Sequence, residues 1–222
     1  MERQTRSKNL IILTGLVAFL FVVNALLALF ALYVSNEKQL ASVKALGDIM
    51  DGLEDARSAQ VHFKKQVQEW KNILLRGQKK EDFEKHKQAF FKEESAVDQQ
   101  LEKLKTFTEK LKIDASAVEK VLEAHQELGK RYRAALQKYS GENPSTIFLV
   151  DSEVRGIDRA PTDAMDQIVA NIRNQEVRIA SSAQMEAKAQ YSTWRTVLIT
   201  GTVIGVLLSF ILLWLSFSRP TE

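Results

Sequence analysis

Two long apolar segments frame the chain and dominate its hydrophobic pattern. The first covers residues 10–34 and the second residues 196–217, and neither contains a charged residue. As helices rising about 1.5 Å per residue, both are long enough to cross a hydrocarbon core of about 30 Å. The pattern therefore predicts two transmembrane helices, with residues 35–195 between them as one polar domain held outside the bilayer.

The polar domain begins with a helical repeat. Apolar or small residues recur at alternating steps of three and four, interrupted at Gln60, which is the 3.5-residue repeat of a bundle or coiled-coil seam. The positions on this seam are Leu46, Ile49, Leu53, Ala56, Phe63, Val67, Trp70 and Leu74. We expect the helix to continue from the first apolar segment to about Arg76 and to stop at Gly77.

Three further helices are predicted in the polar domain. The second begins at Lys80, the third runs from Asp114 to Gly141, and the fourth runs from Pro161 into the second apolar segment. Their predicted inward residues are Phe83, Phe90, Val97, Leu101, Leu104 and Leu111, then Val118, Val121, His125, Leu128, Tyr132, Ala135 and Tyr139, then Ile168, Ile172 and Ile179. The predicted fold is all-α, an antiparallel up-down-up-down four-helix bundle continuous with two transmembrane helices. The apolar run 147–150 is predicted to pack as a short helix or cap at the membrane-distal end.

The charge pattern predicts the orientation. Lys and Arg next to a span favour the cytoplasmic side; Arg3, Arg6 and Lys8 precede the first segment, and Arg219 follows the second. We therefore expect cytoplasmic tails at residues 1–9 and 218–222, in an inner-membrane protein with two spans. The first segment is too long for a typical signal peptide and is read as a retained anchor. Residues 35–194 carry 26 Lys+Arg and 26 Asp+Glu, so nothing indicates a nucleic-acid partner.

The composition argues against several kinds of chemistry. The chain has no cysteine, which excludes disulfides and thiolate metal sites. His62, His86 and His125 fall on three different predicted helices, without the paired spacing of a metal site. His125 lies on an apolar face, where a buried, hydrogen-bonded histidine is expected. No glycine-rich phosphate loop or nucleophile elbow occurs. We expect neither an enzyme nor a cofactor.

Three stretches carry a resemblance to a known family. They are residues 66–77 (QVQEWKNILLRG), 154–165 (VRGIDRAPTDAM) and 218–222 (SRPTE). With them the chain resembles the membrane sensor half of bacterial methyl-accepting chemotaxis receptors, the last stretch being similar to the start of a HAMP linker. The resemblance implies a periplasmic sensory domain, a homodimer and a small-molecule ligand. Such receptors continue into HAMP and signalling regions, whereas this chain ends at Glu222. It is therefore read either as a sensor acting through a partner, such as a full-length chemoreceptor, or as a truncated receptor.

The resemblance also implies a ligand site. In aspartate-type receptors, arginines of the first helix and a Pro-Thr step opening the fourth helix bind small anions at the membrane-distal end. The matching positions are Arg76 and Thr162, and Arg155 and Arg159 are expected to add positive charge. A helix N-terminus and guanidinium groups suit an anionic ligand.

A structural role is the alternative for the same residues. The arginines are equally able to pair with neighbouring carboxylates (Glu69, Asp158 and Asp163) and so fasten the 141–160 connection to the bundle. Trp70 is either a ligand platform or a packed anchor of the core. The sequence alone leaves both alternatives open.

The apolar segments contain a further candidate contact. Gly201 and Gly205 share one helix face, and such small residues allow transmembrane helices to approach closely. Asn24 carries an amide in mid-segment and should face another helix rather than lipid. These residues either pair two copies of the chain or pack the second segment against the first.

Two functions from different classes follow from the sequence. The first is a membrane-bound chemoreceptor-like sensor. The alternative is a membrane-anchored structural or adaptor protein whose bundle binds an envelope protein. A charged pocket at the distal end favours the sensor, and an exposed apolar groove along the bundle favours the adaptor.

Overall fold

The computed structural model describes residues 2–110, 115–143 and 145–218. Within these ranges it contains no strand and five helices, which are α1 (Glu2–Arg76), α2 (Lys80–Lys110), α3 (Ser116–Leu136), α4 (Ser145–Val154) and α5 (Arg159–Phe217). The all-α prediction is confirmed. Leu111, Asp114 and the tail beyond Ser218, including Arg219, lie outside the described residues. The chain folds as two compact units, one of residues 46–178 and one that combines residues up to 45 with those from 179 onward.

The unit of residues 46–178 is the helical bundle. Neighbouring helices are antiparallel, because residue numbers that rise along one helix contact residue numbers that fall along the next. The contacts that show this are His62–Glu93 and Glu69–His86 between α1 and α2, and Asp98–His125 and Lys105–Glu119 between α2 and α3; Gln60–Asp166 joins α1 to α5. The up-down-up-down order predicted from the sequence is therefore confirmed, with α4 as an additional short helix.

The inner face of α1 differs slightly from the predicted seam. Ala59 and Gln66 are buried, whereas Gln60 and Val67 are only half-buried. A bundle helix contacts two neighbours and presents a wider inward stripe than a two-stranded seam does. The residue on either side of a seam position can therefore take the buried place, as Ala59 does where Gln60 interrupts the repeat.

An aromatic cluster joins three helices near the α1–α2 turn. Trp70 of α1 lies 4.5 Å from Tyr132 of α3 and 5.9 Å from Phe90 of α2, measured between ring centroids. Phe90 and Tyr132 are 5.4 Å apart and meet edge to face. Tilted and edge-to-face pairs at such distances are favourable beyond the area that they bury. The cluster anchors the end of the bundle that contains the α1–α2 turn, which we call the turn end.

Glycines shape the connections at the turn end. α1 stops at Arg76, as predicted, and Gly77 packs so tightly that an added Cβ would lie 2.7 Å from the Tyr139 hydroxyl oxygen. The predicted short helix is α4, which buries Val150 and Val154. The turn from α4 to α5 contains Gly156 at a φ of 76°, a left-handed conformation that glycine adopts at little cost.

The second unit contains the two apolar segments as an antiparallel helix pair. The contacts between them include Asn24–Thr202, Phe21–Gly205 and Phe30–Trp194. α1 and α5 are long and apolar enough to span a membrane, by length and composition. Only 6% of the most apolar window of each is buried within the chain. The core helix of a soluble protein would instead be mostly buried.

Candidate functional site

A cleft of about 260 Å³ opens at the turn end of the bundle. We call it the turn-end cleft. Its lining comes from α1, α3, α4 and the connection into α5, and comprises Val67, Trp70, Lys71, Tyr132, Asp151, Val154, Arg155, Gly156, Asp158 and Arg159. Because all of these residues belong to the unit of residues 46–178, the cleft is formed entirely within the bundle of one chain.

The buried part of the cleft lining is largely aromatic. Trp70 is 4% exposed and Tyr132 2% exposed, so both serve as core residues and as cleft residues at once. Burial raises the pKa of the Tyr132 hydroxyl well above its usual value, and the negative charge of Asp158 raises it further. The phenol is therefore protonated at neutral pH and is able to donate a hydrogen bond.

The rim of the cleft is charged. Arg155 is already paired, because its Nε and Nη2 donate to Asp151 Oδ2 at 3.0 and 2.5 Å. Lys71 and Arg159 form no ion pair with any described residue. Three cations and two carboxylates therefore line the cleft, in a bundle whose overall charge is close to neutral. The excess positive charge suits an anion.

The structure brings three of the five predicted ligand residues together. Trp70, Arg155 and Arg159 line the turn-end cleft, whereas Arg76 and Thr162 do not. Arg76 is exposed in the last turn of α1. The Thr162 hydroxyl donates to the backbone oxygen of Asp158 at 2.7 Å, in the first turn of α5. Ligand binding by Arg76 and Thr162 stays a prediction.

The carboxylate that pairs with Arg155 is not one of those proposed from the sequence. Arg155 pairs with Asp151 rather than with Glu69, Asp158 or Asp163. Glu69 instead accepts one hydrogen bond from Asn72 Nδ2 and contacts His86 Nδ1. Four residues separate Arg155 from Asp151, so both lie on one face of α4, and this spacing was available in the sequence as a signal.

Sequence reasoning assigned none of the other seven lining residues to a ligand site, and three of them show why. Lys71 had no distinguishing pattern, since it is an ordinary exposed position on α1. Tyr132 was assigned to the inner face of its helix, which is correct but does not reveal that it also lines a cleft. Asp158 was considered only as a partner for arginine.

A buried polar network lies deeper in the bundle. His125 is fully buried; its Nδ1 lies 2.7 Å from Asp98 Oδ1, and its Nε2 lies 2.8 Å from Gln66 Oε1. The expectation of a buried, hydrogen-bonded histidine is confirmed. Turning the Gln66 amide by half a turn would place its otherwise unpartnered Nε2 against His125 Nε2.

Glu94 forms a second buried polar contact, with Arg133. Burial raises the pKa of the Glu94 carboxyl, and the neighbouring Arg133 opposes this rise. The folded state therefore holds the Glu94 proton more tightly than the unfolded chain does. This group stabilises the fold most below the ordinary pKa of a glutamate, and its contribution is lost as the pH rises through the raised pKa of the folded state. Among the described residues, no group of three His, Cys, Asp or Glu side chains could hold a metal ion.

A wider groove of about 620 Å³ lies between the bundle portions of α1 and α5. It is lined by Met50, Asp51, Leu53, Glu54, Arg57, Arg173, Glu176 and Val177. Both charge signs occur, and the apolar residues Met50 and Val177 are largely exposed. The groove therefore combines an apolar surface with mixed charge, in contrast to the smaller turn-end cleft.

The candidate residues of the apolar segments contact one another within the chain. Asn24 Nδ2 donates to Thr202 Oγ1 at 2.9 Å. A Cβ atom added to Gly201 would lie 2.6 Å from Asn24 Oδ1, and one added to Gly205 would lie 2.9 Å from the Phe21 ring. The glycines thus allow close packing of the second segment against the first. A role in pairing two copies stays a prediction.

Comparison with known proteins gives one informative match. No family model and no solved structure matches the chain. The methyl-accepting chemotaxis protein CtpH of Pseudomonas aeruginosa strain PAO1 is 31% identical over 225 residues, an alignment that covers 100% of this chain and 38% of that protein. The chain therefore spans less than half the length of this relative. The match supports a chemoreceptor-like relationship for this chain, at the level of the family.

Proposed function

We propose that the chain is a membrane-bound chemoreceptor-like sensor whose bundle lies in the periplasm and binds a small anionic ligand at the turn end. The observation that carries the proposal is the continuity of α5. This single helix begins at Arg159, in the lining of the turn-end cleft, and continues through the second apolar segment to Phe217. A change at the cleft has an unbroken helix along which to act on the membrane segment. The chemotaxis relative supports the same function.

The proposed topology places both apolar segments across the inner membrane and both termini in the cytoplasm. The antiparallel pairing of the two segments, through Asn24 with Thr202 and Phe30 with Trp194, is the arrangement that such a hairpin requires. Asn24 finds its hydrogen-bond partner on the opposite helix, which suits an amide in a lipid environment.

A hybrid receptor tests the proposed function directly. Residues 1–218 are fused to the HAMP and signalling regions of a full-length chemoreceptor and produced in cells that lack other receptors. We expect the hybrid to respond to at least one small anion, because ligand at the bundle should displace α5. The panel of test compounds comprises carboxylates, sulfate and phosphate. The uncharged amides that correspond to the carboxylates serve as controls. A hybrid that inserts into the membrane and controls the signalling kinase, yet responds to no anion, would contradict the proposal.

We also propose that the chain is a homodimer through α1. The predicted seam from Leu46 to Leu74 mostly faces the chain's own core, so it cannot at the same time contact a second copy. A second stripe lies exposed on the same helix, with the alternating spacing of a coiled-coil seam. Its members are Gly47, Met50, Glu54, Arg57 and Val61.

Cysteine cross-linking tests the dimer, and the chain contains no cysteine of its own. Single cysteines at Met50, Arg57 and Val61 should form disulfides between copies in native membranes. Cysteines at the buried positions Leu53 and Phe63 should remain unlinked, because their side chains point into the bundle. Equal cross-linking at the two sets, or none at the exposed stripe, would exclude this interface.

The adaptor remains the second candidate function. The observation that favours it is the exposure of Phe148 and Leu149 on α4 and of Leu75 in the last turns of α1. Exposed apolar residues are typical of surfaces that bind another protein. A bundle that captures an envelope protein and binds no anion would support the adaptor over the sensor.

A further inference from the structure

The Tyr132 hydroxyl is an unusual group in the bundle. Tyr132 is almost completely buried and lines the turn-end cleft. No protein atom in the described part of the chain forms a hydrogen bond with its hydroxyl. Although the ring is buried, the hydroxyl oxygen keeps accessible surface at the cleft, so a ligand in the cleft can reach it. A plain core position would be filled equally well by phenylalanine.

Two cations that line the same cleft form no ion pair with any described residue. Lys71 comes from α1 and Arg159 from the first residue of α5, and neither meets a carboxylate within the described ranges. Arg155 contributes less, because Asp151 already occupies its guanidinium. The cleft thus offers one neutral hydroxyl donor and two cations without a described carboxylate partner, which are the kinds of group that bind an oxyanion.

We infer that the turn-end cleft binds a small molecule through one oxyanion group, which accepts a hydrogen bond from Tyr132 and pairs with Arg159 and Lys71. The inference rests on the proposed sensor function and adds the location of the site, the recognition residues and the chemistry of the ligand. Every residue of the donor set belongs to one bundle. The site is therefore complete in a single chain, whatever the chain's oligomeric state.

The size of the cleft limits the occupant. Its volume of about 260 Å³ lies below the roughly 300–1,000 Å³ of pockets that hold drug-sized ligands. An inorganic oxyanion or a carboxylate with a few carbon atoms fits this space. Val67, Trp70 and Val154 offer apolar contacts to an organic body, so a carboxylate with such a body should bind more tightly than an inorganic ion.

Asp158 provides an independent test of the electrostatics. It lines the same cleft, and after burial, the larger cause, its negative charge also raises the pKa of the Tyr132 hydroxyl. Its carboxylate should therefore repel an incoming anion. Removing this charge should improve anion binding, an effect that a purely structural role of Asp158 does not produce.

The experiment uses the full chain in lipid nanodiscs with Trp194 and Trp214 replaced by phenylalanine, so that Trp70 is the single tryptophan and reports on the cleft. The probes are propionate, succinate and benzoate as organic carboxylates, and inorganic sulfate and phosphate. Propionamide and benzamide are the neutral controls. We expect a saturable change in Trp70 fluorescence with at least one oxyanion and none with the amides. The two groups of probes distinguish an organic from an inorganic ligand.

Four variants then locate the site. Tyr132→Phe and Arg159→Gln should each raise the Kd by tenfold to a hundredfold, the range expected for a hydrogen bond to a charged group. Asp158→Asn should lower the Kd severalfold. Arg131→Gln removes a neighbouring exposed cation of α3 outside the cleft and should leave the Kd within twofold. Tyr132→Phe should not lower the melting temperature, since it removes a hydroxyl without a protein partner.

The outcomes separate this inference from the proposed function. If the hybrid receptor responds to an anion and the response is unchanged in Tyr132→Phe and Arg159→Gln, the sensor function stands and the cleft is not the site. If Arg76→Gln abolishes the response while Tyr132→Phe and Arg159→Gln do not, the sensor function likewise stands and the cleft is not the site. If no oxyanion gives a saturable signal at Trp70, the cleft does not bind this class of ligand.

Discussion

Replacing Trp70 by alanine is expected to lower the free energy of unfolding of the bundle by about 3–5 kcal/mol. The side chain is almost fully buried, and its ring packs 4.5 Å from Tyr132 and 5.9 Å from Phe90. Truncation removes this apolar contact area and leaves a cavity that three rigid helices cannot fill. Because a domain of this size is typically stable by about 5–15 kcal/mol, the loss is a large fraction of the total.

Native-state hydrogen exchange of the full chain in nanodiscs measures this effect, since the most protected amides of residues 46–178 report the free energy of global opening. Leu75→Ala is the matched control, because it truncates an exposed apolar side chain in the last turns of the same helix. The control should change stability by no more than about 0.5 kcal/mol. Equal protection in Trp70→Ala and the parent chain would show that the aromatic cluster does not hold the turn end together.

The helices of this fold are accessible from the sequence for a simple physical reason. Each polar stretch repeats its apolar positions with helical spacing, and the stretches are separated by residues that end helices. α1 ends at Arg76 immediately before Gly77, and α2 begins at Lys80, as the pattern predicts. The even number of long helices was predicted from the two apolar segments, because a membrane hairpin would return the chain to the face at which it started.

The inner faces are predicted less well. The spacing of apolar residues shows which side of a helix faces the core, but it does not decide between two adjacent residues at the edge of that side. The choice between Gln66 and Val67 illustrates this. Hydrophobicity favours Val67 as the buried position, whereas the structure fully buries Gln66. Gln66 is buried because His125 on α3 provides its hydrogen-bond partner, and a contact between residues 59 positions apart leaves no trace in local spacing.

The turn-end cleft could be predicted only in part. Trp70, Arg155 and Arg159 were found through the family resemblance, which covers the ends of the first and fourth long helices. Lys71 and Tyr132 belong to the cleft because of how α4 and the following turn lie against α1 and α3. That arrangement depends on the left-handed conformation of Gly156 and on the burial of Val150 and Val154, which spacing alone does not determine.

Replacing His125 by leucine is expected to destabilise the bundle by about 1–3 kcal/mol, although leucine is apolar and similar in size. The reason is the loss of its two partners rather than a loss of volume. Gln66 is fully buried, its Nε2 already lacks a partner, and its Oε1 would lose its contact with His125, at roughly 1–3 kcal/mol for the newly unsatisfied group. Asp98 is partly exposed and regains water, so it adds little.

A double-mutant cycle separates this explanation from simple misfit of the leucine side chain. Replacing both His125 and Gln66 by leucine removes the buried polar groups together, and such paired apolar replacement is often close to neutral. The double variant should therefore be more stable than His125→Leu alone by at least about 1 kcal/mol, measured by the same hydrogen-exchange protection. Glu127→Leu, an exposed polar-to-apolar change on α3, is the control and should have little effect. If the double variant is as unstable as the sum of the two single variants, the cost arises from packing around residue 125 and not from the unsatisfied amide of Gln66.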